Sequence, residues 1–138
     1  MQVKKYDYLP EEASRIRQKV FCQEQGFDDE FDDMDAIATH IVLFDADKPV
    51  ATCRIFPGEE SGTYILGRLA VSKEYRGKDL GLAIVQDAEK AAKEKGAGEM
   101  ILHAQCQAKG FYEKAGYQAY GEIEDIQGCP HTWMKKYL

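Results

Sequence analysis

Cysteine, proline and positive charge are scarce in this sequence, and long apolar runs are missing. Its 138 residues hold four cysteines and four prolines. Cys22, Cys53, Cys106 and Cys129 are widely spaced and form no Cys-x-x-Cys pair. That excludes a disulfide-dense scaffold and leaves separate thiols, as expected in a reducing compartment. His103-x-x-Cys106 and Cys129-x-His131 lack the spacing of structural zinc half-sites, so no metal is expected. No repeat, low-complexity tract or Pro/Ser linker divides the chain, which at this length reads as one domain over 1–138. No apolar run approaches the roughly 18 residues of a membrane helix. Met1–Tyr6 lacks the apolar stretch of a signal peptide, so the expected location is cytoplasmic, with no membrane partner. Lys and Arg number 18 against 24 Asp and Glu, a net charge of -6. A nucleic-acid partner would call for a basic excess and is not expected.

What is present is periodicity that changes along the chain. Pro10-Glu11-Glu12 opens a helical stretch, with Ala13, Ile16, Val20 and Phe21 as its apolar side and Gly26 as its stop. Phe31, Met34 and Ala38 recur at helical spacing in an acidic block and suggest a short second helix. From His40 the pattern becomes strand-like: His40–Phe44, Val50–Phe56 and Thr63–Val71 form a meander joined by short turns. Leu80, Ile84, Ala88 and Ala91 then mark the apolar face of a helix ending near Gly96, with Glu89 and Lys93 on the face expected to be solvated. Met100–Ala104 is a strand, Ala108–Lys114 a short helix, and Tyr117–Glu124 and Thr132–Tyr137 are two final strands. The fold class is α/β, with a mixed, mostly antiparallel central sheet flanked by helices on both faces. Both strand–helix–strand passages imply parallel neighbours within it.

Chemistry concentrates in Gly67-Arg68-Leu69-Ala70-Val71 followed by Arg76-Gly77-Lys78-Asp79-Leu80-Gly81-Leu82. A strand runs into a basic, glycine-containing loop and then into a helix. Loop and first-turn N–H groups, with the helix dipole behind them, make an anion site, or else the segment is a turn with a solvated Arg/Lys pair. It has neither the spacing of a nucleoside-triphosphate loop nor that of a dinucleotide fingerprint.

Arg76-Gly77-Lys78-Asp79-Leu80-Gly81 resembles the pyrophosphate loop, Gln/Arg-x-x-Gly-x-Gly/Ala, of the GNAT superfamily of acyl-CoA N-acyltransferases. Gly67–Val71 is similar to that family's splayed fourth strand, and Phe111-Tyr112-Glu113-Lys114-Ala115-Gly116-Tyr117 to its Phe-Tyr-x-x-x-Gly-Phe/Tyr helix. Val20-Phe21-x-x-Glu24-Gln25, His40-Ile41-Val42 and Pro130-His131-x-x-Met134 resemble one small bacterial branch of single-domain members. The matches follow the family's order over nearly the whole chain. Asp79 departs from the pattern, standing where a glycine is usual. Aspartate tolerates a left-handed backbone, so the turn is expected to survive with the carboxylate turned to solvent.

The resemblance implies an enzyme that moves an acetyl group from acetyl-CoA, its cosubstrate, directly to a small primary amine. Leu69, Ala70 and Val71 would pair with the pantetheine arm, and Arg76, Gly77, Lys78, Asp79, Leu80, Gly81 and Leu82 would cradle the pyrophosphate. The Leu69 N–H would hold the developing oxyanion. Tyr112 would protonate the departing thiolate, as a phenol of pKa ~10 can.

For the base, Tyr64–Arg68 offers no carboxylate. An imidazole suits neutral pH, so His131, in the loop expected before the last strand, is either the base or a histidine that anchors the strand end through a backbone hydrogen bond. Glu24 is a second candidate base or a capping or solvated glutamate. His40 and His103 read as packed, hydrogen-bonded histidines. A cysteine route through Cys106 has no evident partner residues. The alternative to an enzyme is a CoA-binding module without transfer.

Asp28–Asp35 holds six carboxylates, and removing it leaves 18 acidic against 18 basic residues. The block lacks the glycine and closing glutamate of a calcium loop. It reads as a solvated helix face or, by the resemblance, as a wall of the acceptor site between the first two helices that would favour a cationic amine. A monomer or homodimer is expected.

Overall fold

In the computed structural model, which describes residues 1–27 and 31–138, one sheet carries seven strands. They are β1 (Gln2–Tyr6), β2 (Thr39–Asp45), β3 (Lys48–Pro57), β4 (Thr63–Val71), β5 (Glu99–Gln105), β6 (Gln118–Ile126) and β7 (Cys129–Tyr137). The spatial order is β1-β2-β3-β4-β5-β7-β6, with β4–β5 the one parallel pair. Helix α1 (Glu11–Arg17) continues as a π-helical segment, Gln18–Glu24; α2 (Leu80–Glu94) and α3 (Lys109–Lys114) follow later. The expected α/β class, with a mostly antiparallel sheet between helices, is the one observed.

β2 shows why both faces need helices. Side chains alternate across a strand, so Ile41 and Leu43 join the main core with Ile84, Ala88 and Ala91 of α2. Val42 and Phe44 point the other way and pack with Ala13 of α1. A strand buried on both sides reads as one continuous apolar run, as His40–Phe44 does.

Several expectations are corrected. β1 was not foreseen; it pairs with β2 at the sheet edge, and only Val3 and Tyr6 of it are partly buried. The passage through α3 does not join parallel neighbours, because β7 lies between β5 and β6 and is antiparallel to both. β7 buries Thr132 and Met134, whereas β6 is largely exposed, so burial favours β7 inside and β6 at the edge. The second helix falls partly outside the described residues. Its described part is a single 3-10 turn, Asp33–Ala36, capped by the Asp32 side chain accepting from the Met34 N–H at 3.1 Å. Glu89 is buried rather than solvated, accepting from the Tyr117 hydroxyl at 2.8 Å and from Lys136 Nζ at 3.0 Å.

The site is made by a divergence. β4 and β5 pair only from Thr63/Glu99 to Leu66/Leu102 and then part. The β3–β4 register shifts between Thr52 and Arg54, and Arg68 adopts φ 53°, a left-handed conformation rare for arginine. Such a bulge bends its strand, here where β4 leaves β5.

Candidate active site

The wedge between the two strands opens into a cavity of about 470 Å³. Leu66–Val71 of β4 and Leu102–Gln105 of β5 form its sides, with Phe111 and Tyr112 from α3 at one end. Val20, Phe21 and Gln25 of the π-helical region cover it, and Ile126, Gln127 and His131 complete the wall. Leu69, Ala70, Val71, Arg76, Gly81, Tyr112 and His131, all expected site residues, therefore face one space.

Gly77, Lys78, Asp79, Leu80 and Leu82 form the adjoining loop and first turn rather than the cavity wall. Gly77 has φ 79°, and Asp79 caps α2 in a left-handed conformation, φ 61° and ψ 19°, with an exposed side chain that makes no capping bond. The first N–H groups of α2 thus keep their outward donors. A side chain at Gly81 would be tight: its Cβ would lie 3.1 Å from Phe111 Cζ. Glycine here lets the loop backbone sit close against α3, and Leu80 and Leu82 anchor the turn in the main core. Such a cradle of turned backbone and a helix N-terminus fits a pyrophosphate. The β4 backbone beyond Leu66, no longer paired with β5, fits an extended amide-bearing arm.

The charged residues around this cradle are already engaged. Arg76 donates from Nη1 and Nη2 to Glu24 at 2.9 and 3.2 Å, and from Nε to the Val71 carbonyl at 3.0 Å. Glu24 is thus an ion-pair partner of the loop. Arg68 donates to Asp32 at 3.3 Å. Asp32 and Asp35 belong to a chain of ion pairs: Arg17 binds Asp35 through two bonds of 2.7 and 3.0 Å, and Arg54 bonds to Asp32 at 2.6 Å and Asp35 at 2.9 Å. Arg54 hydrogen bonding holds the Asp32 carboxyl below its usual range. Burial raises that of Asp35, but Arg17 and Arg54 together win and lower it. These two carboxylates therefore secure α1 and β3 rather than standing open as an acidic wall. Asp28, Asp29 and Glu30 lie outside the described residues. Among the described residues lining the cavity there is no Asp or Glu.

His131 lies within β7, not in the loop before it, opposite Gln105 of β5 and Glu124 of β6. Its Nδ1 is 2.8 Å from the Cys129 carbonyl. A carbonyl only accepts, so Nδ1 carries the hydrogen and the neutral ring keeps its lone pair on Nε2. Tyr112 is buried, and burial, with a smaller effect of Cys53, pushes its hydroxyl well above the ordinary phenol range. It remains a proton donor at any physiological pH.

Sequence reasoning missed His103, Gln25, Gln105 and Gln127. His103 was expected to be packed and hydrogen-bonded. It is packed, stacked on Trp133, but it also lines the cavity, and its Nε2 is buried without a hydrogen-bond partner. The available signal was alternation: in β5, Met100, Leu102 and Ala104 are buried, which turns His103 and Gln105 to the opposite face. Gln105 donates to Gln25 at 2.7 Å, tying β5 to the cover. His40 is packed as expected, with Nε2 2.9 Å from the Asp35 carbonyl.

A splayed sheet with a helix N-terminus at its opening and a covered wedge beside it defines an acyl-CoA-dependent transferase architecture. A family model described as an acetyltransferase (GNAT) domain matches residues 5–138. BSU40680 of Bacillus subtilis (strain 168), a candidate acetyltransferase, is 40% identical over 129 residues, covering 90% of this chain and 86% of that protein. A crystal structure from Lactobacillus plantarum, of a candidate N-acetyltransferase, superposes with a TM-score of 0.91 at 30% identity, over 99% of this chain and 97% of that one. An aminoglycoside 6'-N-acetyltransferase solved with coenzyme A shares the fold, with a TM-score of 0.80 at 18% identity, 99% of this chain and 97% of that one being covered. The chain belongs to the GNAT acetyltransferase family. It is an acetyl-CoA-dependent N-acetyltransferase.

Proposed function

We propose that the protein acetylates a small primary amine by direct transfer in the β4/β5 wedge, with His131 as general base and Tyr112 as general acid. The observation that carries this reading is the His131 Nδ1 contact with the Cys129 carbonyl, which leaves Nε2 able to take a proton in a ring that lines the cavity. Acetyl-CoA supplies an activated thioester. Its pantetheine arm is assigned to the Leu69–Val71 backbone and its pyrophosphate to the loop from Arg76 to Leu82.

His131 Nε2 removes a proton from the incoming ammonium. The Leu69 N–H donates to the oxygen that gains negative charge as the C–N bond forms. Tyr112 gives its hydroxyl proton to the sulfur as the C–S bond breaks, so the leaving group departs as a thiol. A metal ion and a covalent acyl-enzyme have no role in this scheme.

Of the described carboxylates in this block, Asp33 is the one a cationic acceptor would draw on, since Asp32 and Asp35 are paired with arginines. Thiol release from acetyl-CoA, followed over a panel of primary amines, tests the assignment. His131→Ala and Tyr112→Phe are each expected to lower turnover by about 10²-fold or more. Full turnover by either variant contradicts the role given to that residue.

A further inference from the structure

The cavity holds a second imidazole that the mechanism above does not use. His103 of β5 stands opposite Trp133 of β7, and the two rings stack with centroids 4.5 Å apart and planes 16° from parallel. The His131 ring lies 5.1 Å away on the same face. Behind the pair, Glu124 of β6 places Oε1 3.4 Å from His103 Nε2 without forming a hydrogen bond, and the same oxygen accepts from Trp133 Nε1 at 3.1 Å. The indole thus holds the carboxylate beside the imidazole. Glu124 is half exposed, whereas His103 and His131 face the cavity.

We propose that His103, His131 and Glu124 form one acid–base unit in which the two imidazoles share a single proton and Glu124 supplies the counter-charge. This rests on His131 being the base. His103 acts through His131 and is a positioning residue. Two imidazolium rings 5.1 Å apart repel, so protonation of one opposes protonation of the other. Burial lowers the His103 pKa, His131 lowers it further, and Glu124 opposes both. Burial therefore favours the uncharged form of His103, whose ring nitrogen lone pair is open to the proton that His131 acquires.

The other ionisable groups of the surroundings, among the described residues, include Asp125 on β6, Cys129 on β7, Cys106 after β5, Tyr112 on α3, and Arg68 and Arg76 across the cavity. Both arginines are already paired with carboxylates.

The proton balance gives the unit its task. An ammonium acceptor gives up two N–H protons on becoming an amide. One restores the Tyr112 hydroxyl after that group has protonated the thiolate. The other is the net proton of the reaction, and it passes from His131 through His103 to water on the exposed side of Glu124. With the ring centroids 5.1 Å apart, this transfer would run through a water molecule between them.

Imidazole NMR titrations of the wild type, His103→Asn, His131→Asn and Glu124→Gln test the unit, together with the pH profile of kcat/KM. Glu124→Gln keeps an acceptor for Trp133 and is expected to fold normally. In the wild type each ring should report both of two coupled steps, and in either histidine variant the remaining ring should report one. Glu124→Gln should move the acid limb of the profile to lower pH, because a counter-charge has been removed. A purely structural role for Glu124 would lower the rate without moving that limb. Independent titration of the two rings, with an unmoved limb, overturns the unit and leaves the base role of His131 standing. Full turnover by His131→Asn with the coupling intact overturns the base role instead.

Discussion

Arg76 and Glu24 clasp each other across 52 positions of sequence, with Nη1–Oε2 at 2.9 Å and Nη2–Oε1 at 3.2 Å. The pair ties the loop proposed to cradle the pyrophosphate to the π-helical segment that covers the β4/β5 cavity. In the proposed site, Glu24 would compete with the pyrophosphate for the same guanidinium.

Replacing Glu24 with Gln should therefore tighten cosubstrate binding. Half-exposed ion pairs of this kind contribute about 0.2–1 kcal/mol. The expected outcome is a KM for acetyl-CoA lowered by up to about fivefold, with kcat little changed. A KM that rises would mean that Glu24 positions Arg76 rather than occupying it.

At Gly81 the limit is steric. With a Cβ 3.1 Å from Phe111 Cζ, Gly81→Val must displace the Phe111 ring by a few tenths of an ångström or more. Overpacking of this type costs about 1–3 kcal/mol. Thermal unfolding should show that loss, and the KM for acetyl-CoA should rise. An unchanged melting temperature would contradict the close packing described for the loop.

The buried Arg17–Asp35–Arg54 cluster predicts both a mutational and a pH effect. Asp35→Ala takes a carboxylate from two buried arginines and should cost about 3 kcal/mol in denaturant unfolding. Asp32, through its Arg54 hydrogen bonds, and Asp35, where the arginines outweigh burial, have folded pKa values below their unfolded ones. Their contribution is complete above about pH 3.9 and is lost as pH falls through the lower folded values. Burial also lowers the pKa of His40, so the folded state resists its protonation and stability begins to decline below about pH 6.5. Stability measured against pH should fall first in the His40 range and again in the aspartate range. His40→Gln should flatten the first decline.

Tyr112→Phe isolates one proton. The phenylalanine can keep the edge contacts to Phe111 and Tyr117, whose ring centroids lie 5.0 and 6.0 Å away, so the fold should hold. Turnover should fall by about 10²-fold while the KM for acetyl-CoA stays close to that of the wild type. An equal loss with thioesters whose thiols are far more acidic would contradict the donor role, since such leaving groups need no proton.

Much of the fold was legible because its signals are local. The continuous run His40–Phe44 announces a strand covered twice, the apolar face of α2 shows plainly, and the loop from Arg76 to Gly81 carries its own turn chemistry. β1 was not legible, because Gln2–Tyr6 offers only Val3 and Tyr6 as partly buried residues. The partners of Asp35 were hidden for a different reason: Arg17 and Arg54 lie 18 and 19 positions away, and only the packing of α1 on β3 brings them together. Glu89 was misread because one helical position cannot reveal that Tyr117 and Lys136 will fold over it. The β5 alternation shows which face His103 takes, but its place beside Trp133 and His131 needed the register of β5 against β7, which follows from β7 lying inside β6. Sequence periodicity alone does not supply that order.

The central claim, direct acetyl transfer to an amine in the β4/β5 wedge, is tested most directly by mass spectrometry of the reaction mixture. Protein and acetyl-CoA are incubated with a panel of small primary amines, and both the amines and the intact protein are weighed. The account predicts an N-acetylated amine, formed in step with free CoA, and a protein of unchanged mass. An acetylated protein that passes its acetyl group to the amine, or CoA release without any acetylated amine, would contradict it.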